Sequence, residues 1–263
     1  MDFFDSFPAM ERQDLRDLKK GIDSSFRDFS RAYGDEIEGF FEPLLYFLVW
    51  LEKLLVNAPW PLVIIGLAIL AWFGSRSWKL VTGTVIAFLV IGYFGMWKDT
   101  MATLAIISVA TLLCIAVGIP FGIWMARSDR VQAAITPVLD VMQTIPSFVY
   151  LIPVVMLLGI GKVPGLIAVC IYAIPPLVRL TNLGIRLVDS EVLEAADSFG
   201  ADYKQKLFGV QIPLALPNIF AGINQTIMMS LAMVVIASMI GVKGLGLPVL
   251  RAVSNQYLAL GLL

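Results

Sequence analysis

From Trp60 onward the chain is almost continuously apolar, broken by short polar turns and by one longer polar stretch. A membrane-crossing helix needs about 20 mainly apolar residues. The runs at 60–75, 79–97, 100–126, 133–159, 164–186 and 218–241 each read as one span. A seventh run begins near Tyr257 and is cut by the end of the sequence at Leu263, so the natural C-terminus is expected to lie further on. Phe40 to Val56 is also apolar but carries Glu42, Glu52 and Lys53; with Trp50 and Trp60 beside it, it predicts an interfacial amphipathic helix rather than a span. Met1 to Gly39 scatters Arg12, Arg16, Lys19, Lys20, Arg27 and Arg31 among more numerous acids, with few apolar positions, and predicts a solvated helical tail. It lacks the basic start, apolar run and small-residue cleavage site of a signal peptide. The pattern therefore divides the chain at 57/58. Residues 1–57 hold the mixed-charge tail and amphipathic helix, and 58–263 form an all-α polytopic membrane domain of about six or seven spans.

The longer polar stretch, 188–213, carries its own local code. Asp189 and Ser190 suit the cap of a helix starting near Glu191, and Glu191 and Glu194 suit its positive N-terminal end. Val192, Leu193, Ala195, Ala196 and Phe199 give that helix an apolar face. Gly200 fits the position just past its end, where a positive φ is needed. Asp202 followed by Gln205 predicts a capping box for a second short helix, with Tyr203, Leu207 and Phe208 as its apolar contacts. Pro213 and Pro217 are expected to end it and return the chain to the membrane. The plain alternative is a connector, but connectors are usually only 2–8 residues long. A stretch with two capped helices and an exposed apolar knob at Ala195, Ala196 and Phe199 suits docking into a partner's groove.

Charge gives the stretch a side. Lys and Arg favour cytoplasmic loops. One set of loops holds Arg76, Lys79, Arg127, Arg130, Arg179, Arg186, Lys204 and Lys206, against Lys98, Lys162, Lys243 and Arg251 in the other. The 188–213 loop is thus predicted to be cytoplasmic and the N-terminus outside; if 40–56 spanned, only the tail would change sides. Half of the majority set comes from the region around the loop itself, so the topology leans on it.

Composition supports the membrane reading: 59% of residues are apolar, against 45–50% in soluble domains, and mean hydropathy is +0.84. The net charge of −1 gives no footprint for nucleic acid. The chain has no histidine, which argues against histidine-ligated metal and histidine general-base chemistry. No metal site is expected. Cys114 and Cys170 lie in apolar runs and read as packing residues. No phosphate-binding G-x-x-x-x-G-K-[ST] loop is present, so this chain is not expected to bind ATP in the usual way.

Further stretches carry a family resemblance. Glu194-Ala195-Ala196, Gly200 and Val210-Gln211-Ile212-Pro213 resemble the EAA loop of ABC importer permeases. Gln143-Thr144-Ile145-Pro146-Ser147-Phe148, Gly159 to Gly165, Ala173 to Thr181, Ala221 to Met228, Val235 to Gly241 and Gly244-Leu245-Gly246 are similar to the permease subunits of glycine betaine/proline-type importers. Val210 and Ile212 depart from the loop's usual Ile and Leu but remain apolar; the first 60 residues match no named pattern. The resemblance implies a type I importer permease fold and a path for glycine betaine, proline or a related quaternary amine. Trimethylamine N-oxide, choline or an amino acid are the alternative solutes. It also implies a second permease copy, two ATPase subunits at the cytoplasmic face, and a substrate-binding protein outside, separate or fused. No cofactor is expected on this chain, with ATP and Mg on the ATPase. Glu194, Ala195, Ala196, Ser198, Phe199, Gly200, Ala201 and Asp202 are the coupling residues it implies.

Polar groups within a bilayer are costly and usually face a pore, a partner helix or water. Gln143, Thr144, Asn224, Gln225 and Met228 are candidates for the translocation path, with Asp140, Asn182, Thr226 and Ser230 also polar at membrane depth. Helix–helix hydrogen bonding is the competing reading for each. Pro146, Pro153, Pro175 and Pro176 break helical hydrogen bonding within spans, as gates or as ordinary kinks. Gly241, Gly244 and Gly246 suggest a tight outer turn. Gly92, Gly95, Gly118 and Gly122 read as packing positions, and Trp72, Trp78, Trp97 and Trp124 as interfacial anchors. The membrane part lacks an evident aromatic cage for a quaternary amine, which places that cage on the binding protein. A secondary transporter would need ion-coupling charges in the membrane and has only Asp140; an enzyme would need paired catalytic groups that the chain lacks.

Overall fold

The computed structural model describes residues 10–257, and no strand occurs among the described residues. The seventh apolar run therefore lies almost wholly outside them. Helix α1 spans Arg12–Asn57 and α2 spans Trp60–Ser75, meeting at an angle of 112°. The corner has a local cause: Ala58 precedes Pro59, and the proline ring disfavours helical backbone in the residue before it. Ala58 is extended, at φ −63° and ψ 143°. Helix α3 (Trp78–Tyr93) turns back against α2 through Arg76 at φ 48°, and the Trp72 and Trp78 rings lie 4.6 Å apart across the turn. Each of these two helices has 16 residues, about 24 Å long and short of a hydrocarbon core of about 30 Å.

The bundle is centred on α4 (Trp97–Arg127), α7 (Lys162–Arg186) and α10 (Ile212–Ala237). Small residues set their spacing, as expected where packing rather than hydrophobicity holds helices together. Gly118 and Gly122 of α4 lie against Leu177 and Thr181 of α7, so those two helices run parallel. Gly222 of α10 rests on Leu177, and Gly184 of α7 on Ala215 and Asn218, so α10 runs the opposite way. The buried Thr226 hydroxyl donates to Ala173 O at 3.0 Å. The starts of α4 and α7 mark one end of the bundle, here the turn end; the opposite one is the loop end.

The span drawn over 133–159 is broken. Helix α5 (Asp129–Thr144) stops at Ile145, a 3-10 turn follows at Ser147–Tyr150, and α6 (Leu151–Leu158) leaves at 107°. Pro146 has no N–H, so Met142 O loses its helical donor. The Tyr150 hydroxyl donates to Met142 O instead, satisfying the group that a break inside a membrane would otherwise orphan. Helices α4, α7 and the run Tyr203–Ile240 are each long and apolar enough to cross a membrane, and counting each bent pair as one span brings the described residues to as many as five.

From Arg12 on, the residues read as a tail and a separate amphipathic helix form one 46-residue helix, α1. Its second half joins the bundle: Leu48 is fully buried in the main core with Ala105, Val109 and Leu166. Glu52 pairs with Lys162 at 2.5 Å, both side chains mostly buried. Ser30 donates to Met156 O at 2.8 Å, a carbonyl left over at the end of α6. Because either charge alone would be left unpaired, Glu52→Ala is expected to destabilise the protein by roughly 2 kcal/mol. Thermal unfolding in detergent checks this, and the swap Glu52→Lys with Lys162→Glu should recover most of the loss.

After α7 the chain forms α8 (Ser190–Ser198) and α9 (Tyr203–Lys206), then re-enters the bundle as α10. A 3-10 turn at Ser238–Ile240 closes α10, and α11 (Gly246–Asn255) follows the glycine turn.

Candidate functional site

The loop between α7 and α10 is locally over-determined. Asp189 accepts from Glu191 N at 2.9 Å and starts α8. At the other end Gly200 N–H donates to Asp197 O at 2.9 Å and Ala201 N–H to Ala196 O at 3.1 Å. Together these form a Schellman motif around Gly200, whose φ is +77°. Asp202 and Gln205 then form the reciprocal capping box, at 2.7 and 2.8 Å. Lys206 grips Asp197 at 2.5 and 2.7 Å, tying α9 back to α8. Ser198 donates to Glu194 O at 2.9 Å.

This rigid pair of turns presents an apolar tip. Phe199 is 93% exposed. Ala195 and Glu194 are exposed beside it, and Ala196 and Ala201 are half-buried. Leu207 is buried and anchors the loop, whereas Phe208 stays 64% exposed. Gly200 has nothing within 4 Å of where a Cβ would stand, so only its backbone conformation constrains the position.

One expectation fails here. Pro213 and Pro217 do not end the second loop helix; Tyr203–Ile240 is a continuous helical run of 38 residues. The reason is a wide turn at Leu207–Gln211, where Ile212 N–H bonds to Leu207 O, five residues back. Such a π turn relieves the clash that a proline ring makes with the preceding turn. Pro213 then stands in the first turn of α10, where a missing N–H is harmless.

The polar membrane residues sort into two groups. Helix–helix bonding accounts for Thr226, which donates to Ala173 O of α7, and for Asp140, which pairs with Arg179 at 2.5 Å. The buried Asn182 accepts from Arg186 within α7, and the buried Ser230 hydroxyl has no hydrogen-bond partner among the described residues. Gln143 and Thr144 are exposed at the break of α5, and Asn224, Gln225 and Met228 are exposed midway along α10. The 3-10 turn Ser147–Tyr150 packs on both α7 and α10, which brings the broken helix beside α10. No hydrogen bond joins Gln143 or Thr144 to Asn224 or Gln225 among the described residues. An amide facing lipid is costly, so Asn224 and Gln225 call for a water-lined path or a second polypeptide across from them.

At the turn end, Gly241 and Gly244 have φ of +85° and +148°. Val242, 1% exposed, packs on Gly165 of α7. Leu245 N–H donates to Thr103 Oγ1 at 2.9 Å. Gly246 sits hard against Val235 and Ser238. The glycines were legible in the sequence; Thr103 and Val242, which lock the turn, were not, because a threonine and a valine in apolar runs carry no distinguishing pattern.

Comparison with known proteins matches residues 118–262 to the family described as binding-protein-dependent transport system inner membrane component. The glycine betaine/proline betaine transport system permease protein ProW of Escherichia coli is 49% identical over 243 residues, covering 92% of this chain and 67% of that protein. The glycine betaine/carnitine transport permease protein GbuB of Listeria monocytogenes is 48% identical over 200 residues, covering 75% of this chain and 71% of that one. Among solved structures, an inward-facing form of the MetNI methionine ABC transporter superposes with a TM-score of 0.55 at 18% identity, covering 64% of this chain and 88% of that one. That likeness establishes a shared fold. The chain belongs to the family of binding-protein-dependent transport system inner membrane components, transport permeases rather than enzymes.

Proposed function

We propose that the chain is the permease subunit of an ATP-driven importer for glycine betaine, proline betaine or a related quaternary amine. Two copies form the path, and two ATPase subunits, which carry the ATP and Mg, dock on the 188–213 loops at the cytoplasmic face. A binding protein delivers solute at the turn end, and the N-terminus lies outside. The observation that carries the coupling role is Phe199: an aromatic ring 93% exposed on a doubly capped loop, continuous with a helix that runs the length of the bundle. A nearly naked ring held that firmly suits a pocket on a partner. Glu194, Ala195, Ala196, Ser198, Gly200, Ala201 and Asp202 shape and hold the tip. Asn224, Gln225 and Met228, with Gln143 and Thr144 nearby, are the proposed lining of the path, and Gly241, Gly244 and Gly246 the outer turn. The substrate class rests on the names of the relatives.

The test is reconstitution of the permease with its ATPase and binding protein in vesicles. ATP-dependent uptake of radiolabelled glycine betaine supports the reading; uptake of trimethylamine N-oxide or an amino acid in its place moves the substrate and keeps the architecture. Phe199→Ala is expected to weaken ATPase co-purification by roughly 2 kcal/mol or more, the loss typical of an interface anchor, with the permease still folded. Undiminished co-purification and uptake in that variant rule out the loop as the docking site.

A further inference from the structure

Both ends of the loop are fastened to the same piece of the bundle. Arg186, in the last turn of α7 where the loop begins, uses three nitrogens. Nη2 donates to Met125 O at 2.9 Å, Nη1 to Asp129 Oδ1 at 2.7 Å, and Nε to Asn182 Oδ1 at 3.1 Å. Met125 O is one of the last carbonyls of α4, and Asp129 opens α5. At the loop's other end Tyr203, first residue of α9, lies beneath the Arg127 guanidinium, 4.1 Å from ring centroid to Cζ. Arg127 is the last residue of α4. The corner 125–129 is thus gripped from the entry side by two bonds of the Arg186 fork, whose third bond holds the guanidinium to Asn182 of its own helix, and from the exit side by a cation over a ring. A fork of this shape holds direction as well as distance, which a lysine could not do.

We infer that Arg127, Tyr203 and Arg186 are positioning residues that make the α4–α5 corner move with the loop. The inference rests on the proposed docking of the ATPase there. A push on Phe199 passes through the Gly200 turn into the helical run that begins at Tyr203, and it reaches the α4–α5 corner through these contacts in addition to the apolar packing of α4 on α7 and α10. Without them the loop would still dock and α10 would still tilt, but α4 and α5 would lag and hydrolysis would outrun transport.

The test uses the full transporter in vesicles and reads solute accumulated per ATP hydrolysed, with ATPase co-purification measured in parallel. A cation–ring contact at an exposed site is worth roughly a two- to fivefold change in an equilibrium. Arg127→Gln and Tyr203→Leu should each lower the solute-to-ATP ratio by about that factor, and the double variant should fall no further than either alone. Tyr203→Phe, which keeps the ring, should retain the wild-type ratio. Arg186→Lys should lower it as well, having lost the fork. Co-purification should be unchanged in all five. An unaltered ratio in Arg127→Gln, or additive losses in the double variant, overturns the inference while leaving docking intact. Lost co-purification in these variants also overturns it, by placing the residues in docking. Failure of the wild-type pair to co-purify defeats the docking reading itself.

Discussion

Gly200→Val is expected to abolish solute uptake while the permease still inserts, extracts and runs as a folded species. The argument is confined to the backbone. Gly200 has φ +77°, a region that costs an ordinary L-residue roughly 1–2 kcal/mol and a β-branched one more. No neighbour lies within 4 Å of the added Cβ, so steric packing contributes nothing. The strain falls on the Schellman turn that sets the angle between α8 and α9. Relief would swing Phe199 away from its place, and the two bonds from Gly200 and Ala201 would be lost with it. The exposed loop can reorganise without unfolding the bundle, so insertion survives. Gly200→Asn, which tolerates a left-handed backbone, should retain much of the transport. Uptake assays alongside size-exclusion profiles separate the outcomes, and wild-type uptake in the valine variant eliminates the turn from the coupling role.

Gly122→Leu is expected to fail earlier, at folding. A Cβ at Gly122 would lie 2.5 Å from Thr181 Cβ, 2.8 Å from its Cγ2 and 2.9 Å from Val178 O. The Thr181 methyl can turn aside, but Thr181 Cβ and the Val178 carbonyl are fixed by the backbone of α7 and cannot. The two helices have to separate where Met125, Leu139 and Val178 close a buried cluster. Overpacking of a tight contact costs about 1–3 kcal/mol for small additions, and leucine exceeds a small addition. The yield of monodisperse permease should collapse, and adding Thr181→Ala should recover only part of it, because the Cβ at 181 and Val178 O remain.

How much of this was visible in the chain depends on whether the signal was local. Asp189, Gly200 and the Asp202–Gln205 pair announce themselves because caps are interactions between residues a few positions apart. The existence of α4, α7 and α10 was equally plain, since apolar length alone marks them. The fate of α10's first turns was not. A proline reads as a helix end, and only a π turn, which has no composition of its own, carries the helix past Pro213. The break of α5 was signalled by Pro146, but its angle and the role of Tyr150 depend on what packs around them. The burial of Leu48 and the Glu52–Lys162 pair were hidden for a different reason: residues 110 positions apart in sequence meet there. Charges that read as solvent-facing in α1 are neutralised by a distant partner. The Arg186 fork has a partial signature in Asn182 four residues earlier, yet Met125 and Asp129 could be supplied only by the fold.

The unbroken run Tyr203–Ile240 has a mechanical consequence. Gly222, which rests against Leu177 of α7, stands near its midpoint, with arms of about 28 Å on either side at 1.5 Å per residue. A rod pivoting there works as a balanced lever. A displacement of an ångström at Tyr203 arrives at Ile240 as about the same distance in the opposite sense, with neither amplification nor loss. On the proposed coupling, the glycine turn, seated on the far tip and latched by Thr103, would then be moved by a stroke delivered to the loop, and no hinge is required between the two ends of the bundle.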